Sequence, residues 1–226
     1  MNHTHILIAV TCFLSVTGWQ QPQIQVWTTG PLHESEVIGK TGELWFGLYS
    51  DSLTFELRES RVTITDSQTV GGLYDRFVTT DQAAKPLFLL RGVNGLSNRP
   101  VLTVLATPTF IHPAESKSMQ FGESTYYSVA AFGQAVDETV DVVITDYTIR
   151  LRKGRQSQII ASFKWIGSDK HPTILWVGDL DGDARLDLLM DSSTHYNLIT
   201  YTLFLSSVAG NGNLVEQVAS FTRGGC

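Results

Sequence analysis

The sequence predicts an all-β protein built from two sandwich-like units. Three observations carry that prediction. No stretch sustains apolar spacing at the helical period of about 3.6 residues between recognisable caps. Short apolar runs recur, bounded by Gly, Pro, Asn and Asp. Several of these runs alternate apolar and polar residues, as a strand with one wet face does. A chain of 226 residues suits one large β-domain or two small ones, and 42% hydrophobic against 17% charged residues is enough to bury a core.

Taken in order, residues 1–18 read as a secretory signal peptide. Ile6, Leu7, Ile8, Ala9 and Val10, then Phe13, Leu14 and Val16, form an apolar stretch, and Val16 and Gly18 set a cleavage site before Trp19. His3 and His5 stand where Lys or Arg is usual. An apolar stretch of about eleven residues is too short to span a bilayer, so the mature protein is expected to have no transmembrane span and to be secreted or periplasmic. Cys12 leaves with the leader and Cys226 remains alone, so no internal disulfide forms. Stability is expected to come from the core and from a bound ion.

An N-terminal β domain is expected over 19–110 and a C-terminal β domain over 111–226, divided at the polar, proline-containing segment 107–122. In the first, Ile24, Gln25, Val26 and Trp27 alternate like a strand, and 44–49 forms a second. In 53–65 the apolar phase is odd at Leu53, Phe55 and Leu57 but even at Val62 and Ile64. That slip predicts a bulge or turn near 59–61. The apolar runs 86–93 and 101–106 are expected to be neighbours in one sheet. In the second unit, Tyr147, Ile149 and Leu151 alternate with Thr148, Arg150 and Arg152, and Lys153-Gly154 makes a turn. Ile159, Ala161, Phe163 and Trp165 then share one parity opposite Gln158, Ser162 and Lys164, which predicts a hairpin with one wet face. Strands at 201–205 and 214–221 follow, joined through Gly210-Asn211-Gly212-Asn213.

Between 174–177 and 188–190 lies the most distinctive stretch: Gly178, then Asp179-Leu180-Asp181-Gly182-Asp183-Ala184-Arg185-Leu186-Asp187. Its carboxylates stand at loop positions 1, 3, 5 and 9, and the carbonyl of Arg185 is available at position 7. Alternation turns oxygens toward one point, a cage suited to calcium, which takes about six to eight oxygens at flexible geometry. Without a cation, Arg185 alone within the loop offsets four like charges. An EF-hand would have glycine at position 6 and glutamate at position 12, where Ala184 and Met190 stand here, and both flanks have strand length. The site is therefore expected to be strand-loop-strand.

Trp176-Val177-Gly178-Asp179-Leu180-Asp181-Gly182-Asp183, followed by Leu186-Asp187-Leu188-Leu189, resembles the calcium loop of FG-GAP repeats, the integrin-alpha-type blade also found in secreted bacterial proteins. The resemblance implies Asp179, Asp181, Asp183 and Asp187 as side-chain calcium ligands and Arg185 as a main-chain ligand. The family usually has glycine where Ala184 stands, at a position favouring positive φ. The motif occurs once, whereas a propeller repeats its blade signature, so the resemblance extends to the metal loop and not to a full propeller.

A net charge of −6 argues against nucleic acid as a partner. The densest basic run, Arg150, Arg152, Lys153 and Arg155, is explained as solvated charge around a turn. His33, His112, His171 and His195 make no zinc spacing, and His195 is read as part of a polar loop. No Gly-x-Ser-x-Gly elbow, P-loop or dinucleotide fingerprint occurs, and Cys226 ends the chain. Glu34 with Glu36, and Asp137 with Glu138, are the carboxylate pairs a glycosidase would need, and solvated surface charge accounts for both. Trp45, Trp165 and Trp176 are expected in the core, while Trp27 and the Tyr126-Tyr127 pair are expected at the surface. The prediction is an exported calcium-binding β-protein with a structural or binding role and no catalysis. A secreted hydrolase braced by calcium and a cell-envelope adhesion or glycan-binding module stay open beside it.

Overall fold

The computed structural model describes residues 23–51, 54–67, 75–137 and 142–224; residues 1–18, expected from the sequence to be a signal peptide, Leu53 and Cys226 lie outside them. Sixteen strands and one short 3-10 turn, Glu34–Glu36, are found among the described residues. The strands are β1 (Gln25–Trp27), β2 (Gly30–Leu32), β3 (Leu44–Ser50), β4 (Phe55–Asp66), β5 (Arg76–Thr80), β6 (Phe88–Arg91), β7 (Arg99–Pro100) and β8 (Thr103–Leu105). They continue with β9 (Ser116–Phe121), β10 (Thr125–Asp137), β11 (Val142–Lys153), β12 (Gln156–Ile166), β13 (Thr173–Gly178), β14 (Asp187–Asp191), β15 (Leu198–Leu205) and β16 (Glu216–Gly224). The protein is all-β, and its named strands pair antiparallel without closing into a propeller. Among the described residues no helix is long and apolar enough to cross a membrane.

The first sheet runs β1-β6-β3-β4-β5-β2, with β7 also against β4. The second runs β12-β11-β10-β9 and the third β16-β15-β14-β13-β8. The third is the middle layer. One face, through Ile174, Val177, Leu188, Met190 and Phe204, joins Val129, Tyr147, Ile149 and Leu151 of the second sheet in one core. The other, through Trp176, Leu189, Leu203 and Phe221, joins Trp27, Trp45, Leu57 and Phe88 of the first sheet in another. All five residues of β14 are buried because each of its faces meets a core. The segments 19–110 and 111–226 meet inside this middle sheet, where β8 pairs with β13.

Several sequence expectations are corrected. The strand β4 has neither a bulge nor a turn at 59–61: its register with β3 is unbroken from Leu44↔Arg61 to Ser50↔Phe55. The phase slip marks a change of buried face instead. Leu57 is buried where β4 runs beside β7, and Ser60 and Val62 are buried where it runs on beside β5. The runs 86–93 and 101–106 are not neighbours, since β6 pairs with β1 and β3 while β8 pairs with β13.

Trp27 is buried, its ring centroid 5.3 Å from that of Trp45 and its Nε1 donating to the Glu36 carbonyl at 3.2 Å. Tyr127 is also buried and only Tyr126 of the pair is exposed. Trp165, expected inside, is 57% exposed. The hairpin β11–β12 forms as predicted, but its facing is not a single parity. A register shift between the pairs Ile149↔Ala161 and Arg150↔Ile159 leaves Ile160 unpaired and buried and turns Ile159 outward. Asp146, at φ +51°, lies opposite a second shift between Phe132 and Gln134 of β10, and Thr145 and Trp165 pair beyond it.

Candidate metal centre

The acidic loop is the turn of the β13–β14 hairpin, a strand-loop-strand arrangement. Its entry is tight. A Cβ on Gly178 would fall 2.3 Å from the Leu102 carbonyl oxygen and 2.4 Å from the Trp176 ring, so only glycine lets the chain pass, and Asp179 N–H donates to that same carbonyl at 2.9 Å. Two leucines then anchor the loop, one in each core: Leu180 in the core shared with the first sheet and Leu186 in the core shared with the second. Arg99 reaches across from β7 and donates from Nη2 to the Leu180 carbonyl at 2.7 Å.

The two leucines pin the loop, and three of its four aspartates converge. Asp179 accepts from Gly182 N–H (2.7 Å) and Ala184 N–H (3.1 Å). Asp187, wholly buried, accepts from Leu180 N–H at 2.8 Å on Oδ2, and on Oδ1 from Ser206 N–H (2.8 Å) and Ser206 Oγ (3.0 Å). Oxygens of Asp179, Asp181 and Asp187 lie within 4.8 Å of one another. The fourth aspartate has other partners: Asp183 accepts from Arg185 Nε at 2.8 Å and from Ser206 Oγ at 3.0 Å, and the Arg185 guanidinium folds onto it. Ala184 sits at φ +59°.

Two features of this cluster fit a cation. Asp181 Oδ1 is a buried oxygen with no hydrogen-bond partner, which is costly unless a positive group faces it. Burial, together with the Asp181 charge, also pushes Asp187 up to about 7, and burial raises Asp181 as well. A divalent ion would reverse both effects by favouring the ionised carboxylates. The donors that converge are all oxygen, the chemistry of a hard cation. A cleft of about 510 Å³, bordered by Val93, Asn94, Asp181, Asp183, Ser207 and Val208, opens beside the loop.

The serines 206 and 207 carry weight that the loop motif alone does not reveal. Ser206 bridges Asp183 and Asp187, and Ser207 borders the same cleft as Asp181. Only the pairing of β15 with β14 places them there. The other carboxylates and histidines of interest have structural partners. Glu34 pairs with Arg76, and Glu36 accepts from His33 N–H and Gly224 N–H. His171 stacks on Phe110 and His195 on Tyr196. The side chains of Asp137 and Glu138 lie outside the described residues. Comparison of the chain with protein-family models, curated proteins and solved structures finds no match.

Proposed function

We propose that this chain is an exported calcium-binding β-protein in which the ion has a structural role, locking the β13–β14 turn where the two cores meet. The reading rests on one observation above all: three aspartates converge within 4.8 Å at that turn, one of them with a buried, unpartnered oxygen. Their all-oxygen chemistry and the spacing of the loop favour calcium over softer metals. The apolar leader at 1–18 supports export, and calcium is abundant outside the cytoplasm.

An ion that binds only the folded chain stabilises it by about 2.7 kcal/mol when present at a hundredfold excess over Kd. That is a large share of a typical stability of about 5–15 kcal/mol. Melting followed by circular dichroism is therefore expected to move several degrees upward in calcium and downward in chelator. The Asp181→Ala variant is expected to melt at one temperature in both. Identical melting of the native chain with calcium and with chelator would refute the structural role.

A further inference from the structure

We propose that the outward face of the second sheet is a docking platform for a linear, sparsely charged anionic polysaccharide. Arg150 and Arg152 would fork the polymer's carboxylates, and the exposed rings of Trp165 and Tyr126 would support its sugars. The inward face of this sheet is committed to the core through Val129, Tyr147, Ile149 and Leu151. Its outward face is unlike an ordinary wet sheet surface. Phe132, Ile159, Trp165 and Tyr126 are 45%, 52%, 57% and 59% exposed.

The two arginines lie in the middle of this face, two residues apart on β11 and hence about 7 Å apart along the strand. Among the described residues neither makes an ion pair. The cross-strand neighbours of Arg150 are Ala130 and Ile159, and those of Arg152 are Ser128 and Ser157. Arg150 is held in place over the Phe132 ring, 4.9 Å from its centroid, which keeps its planar fork ordered without neutralising it. Unpaired guanidinium groups among serines and aromatic rings, on a molecule of net charge −6, call for a ligand with both carboxylates and hydroxyls.

The shape fits an extended chain. Trp165 pairs with Thr145, which pairs with Gln134, and Tyr126 lies eight residues further back along β10. The platform is therefore roughly 25 Å long. The net charge decides the density of the partner's charge. Nucleic acid or an anionic bilayer presents many charges within a screening length of about 8 Å, and the rest of this acidic molecule repels them. A polymer with one carboxylate every second sugar meets chiefly the two arginines.

Affinity electrophoresis in native gels tests this. Hyaluronan, which alternates a uronic acid with an uncharged sugar, is cast into the gel, with dextran as the neutral control. The native chain is expected to be retarded by hyaluronan and not by dextran. The R150A/R152A double variant should lose at least tenfold in affinity, and Trp165→Ala several-fold, with melting temperatures unchanged because these side chains are on the surface. No retardation by hyaluronan, or equal retardation of native and double-variant chains, would overturn the proposal. So would tighter binding to phosphatidylglycerol-containing vesicles or to poly(dT), which would assign the face to a membrane or to nucleic acid.

Discussion

The two residues flanking Asp183 offer a pair of substitutions with opposite expected signs. Ala184 is held at φ +59° and is exposed, so its methyl group gains little from packing while its backbone pays for a left-handed conformation. That conformation costs an L-residue about 1–2 kcal/mol. Glycine escapes the cost but loses about 0.5–1 kcal/mol more chain entropy on folding. Ala184→Gly is therefore expected to stabilise the protein by about 0.5–1 kcal/mol. Gly182 is the mirror case. It sits at φ +85°, and a Cβ there would lie 3.3 Å from Arg99 Nη2, the atom that donates to the Leu180 carbonyl. Gly182→Ala is expected to cost about 1–2 kcal/mol from backbone strain, with disturbance of the Arg99 contact added to it. Urea unfolding in chelator, read by linear extrapolation at constant slope, measures both without a contribution from bound ion. A destabilising Ala184→Gly, or a neutral Gly182→Ala, would refute the backbone geometry assigned to the loop.

Three further outcomes are expected. In chelator, stability should fall as pH rises from about 4 to about 7. Asp187 is raised to about 7 in the folded chain against 3.8 ordinarily, so the folded state holds the extra proton in that window. The stability it confers is complete below 3.8 and lost through 7, at most about 4 kcal/mol. Asp187→Asn should flatten this dependence at a lower overall level, because its amide turns a donor toward the N–H of Leu180 or Ser206; a pH series of melts in which both chains keep the same slope would exclude Asp187 as the titrating group. Trp27→Ala is expected to cost about 3–5 kcal/mol by denaturant unfolding and Trp165→Ala within about 0.5, and equal costs would contradict the burial described. Tyr147→Phe removes the hydrogen bond from the phenol to the Ile111 carbonyl at 2.7 Å and leaves that oxygen unsatisfied, for about 1–3 kcal/mol by the same assay; no change would mean that water replaces it.

Much of the strand pattern was legible because period two is a local signal, and the β11–β12 hairpin and the β13–β14 turn emerge where alternation and turn residues place them. What alternation cannot encode is which parity faces water once a bulge intervenes. Ile159 and Trp165 share a parity with Ala161 and Phe163 in the sequence, yet the first two are exposed and the second two partly buried. Nor does it reveal a middle layer. Trp27 ends a short alternating run whose sequence does not show what covers it, and it is buried because the first sheet packs against the third, with Phe88 meeting Trp176 edge-on at 6.0 Å. At the acidic loop the aspartates are explicit in the sequence, whereas the role of Ser206 depends on strand pairing, and the partners of Asp183 depend on how Arg185 folds back.

The double burial of β14 bears on how the molecule can be divided. Leu188 and Met190 fill one interior and Leu189 the other, so neither interior is complete without the same five-residue strand. Separate expression of the amino-terminal and carboxy-terminal portions would leave one piece without this shared wall and the other with half of it bare to water. Partial proteolysis should accordingly yield either intact chain or small peptides, with no durable half-molecule. The aspartate turn opens directly onto this strand, so loosening a few loop residues would be felt on both sides of the protein at once.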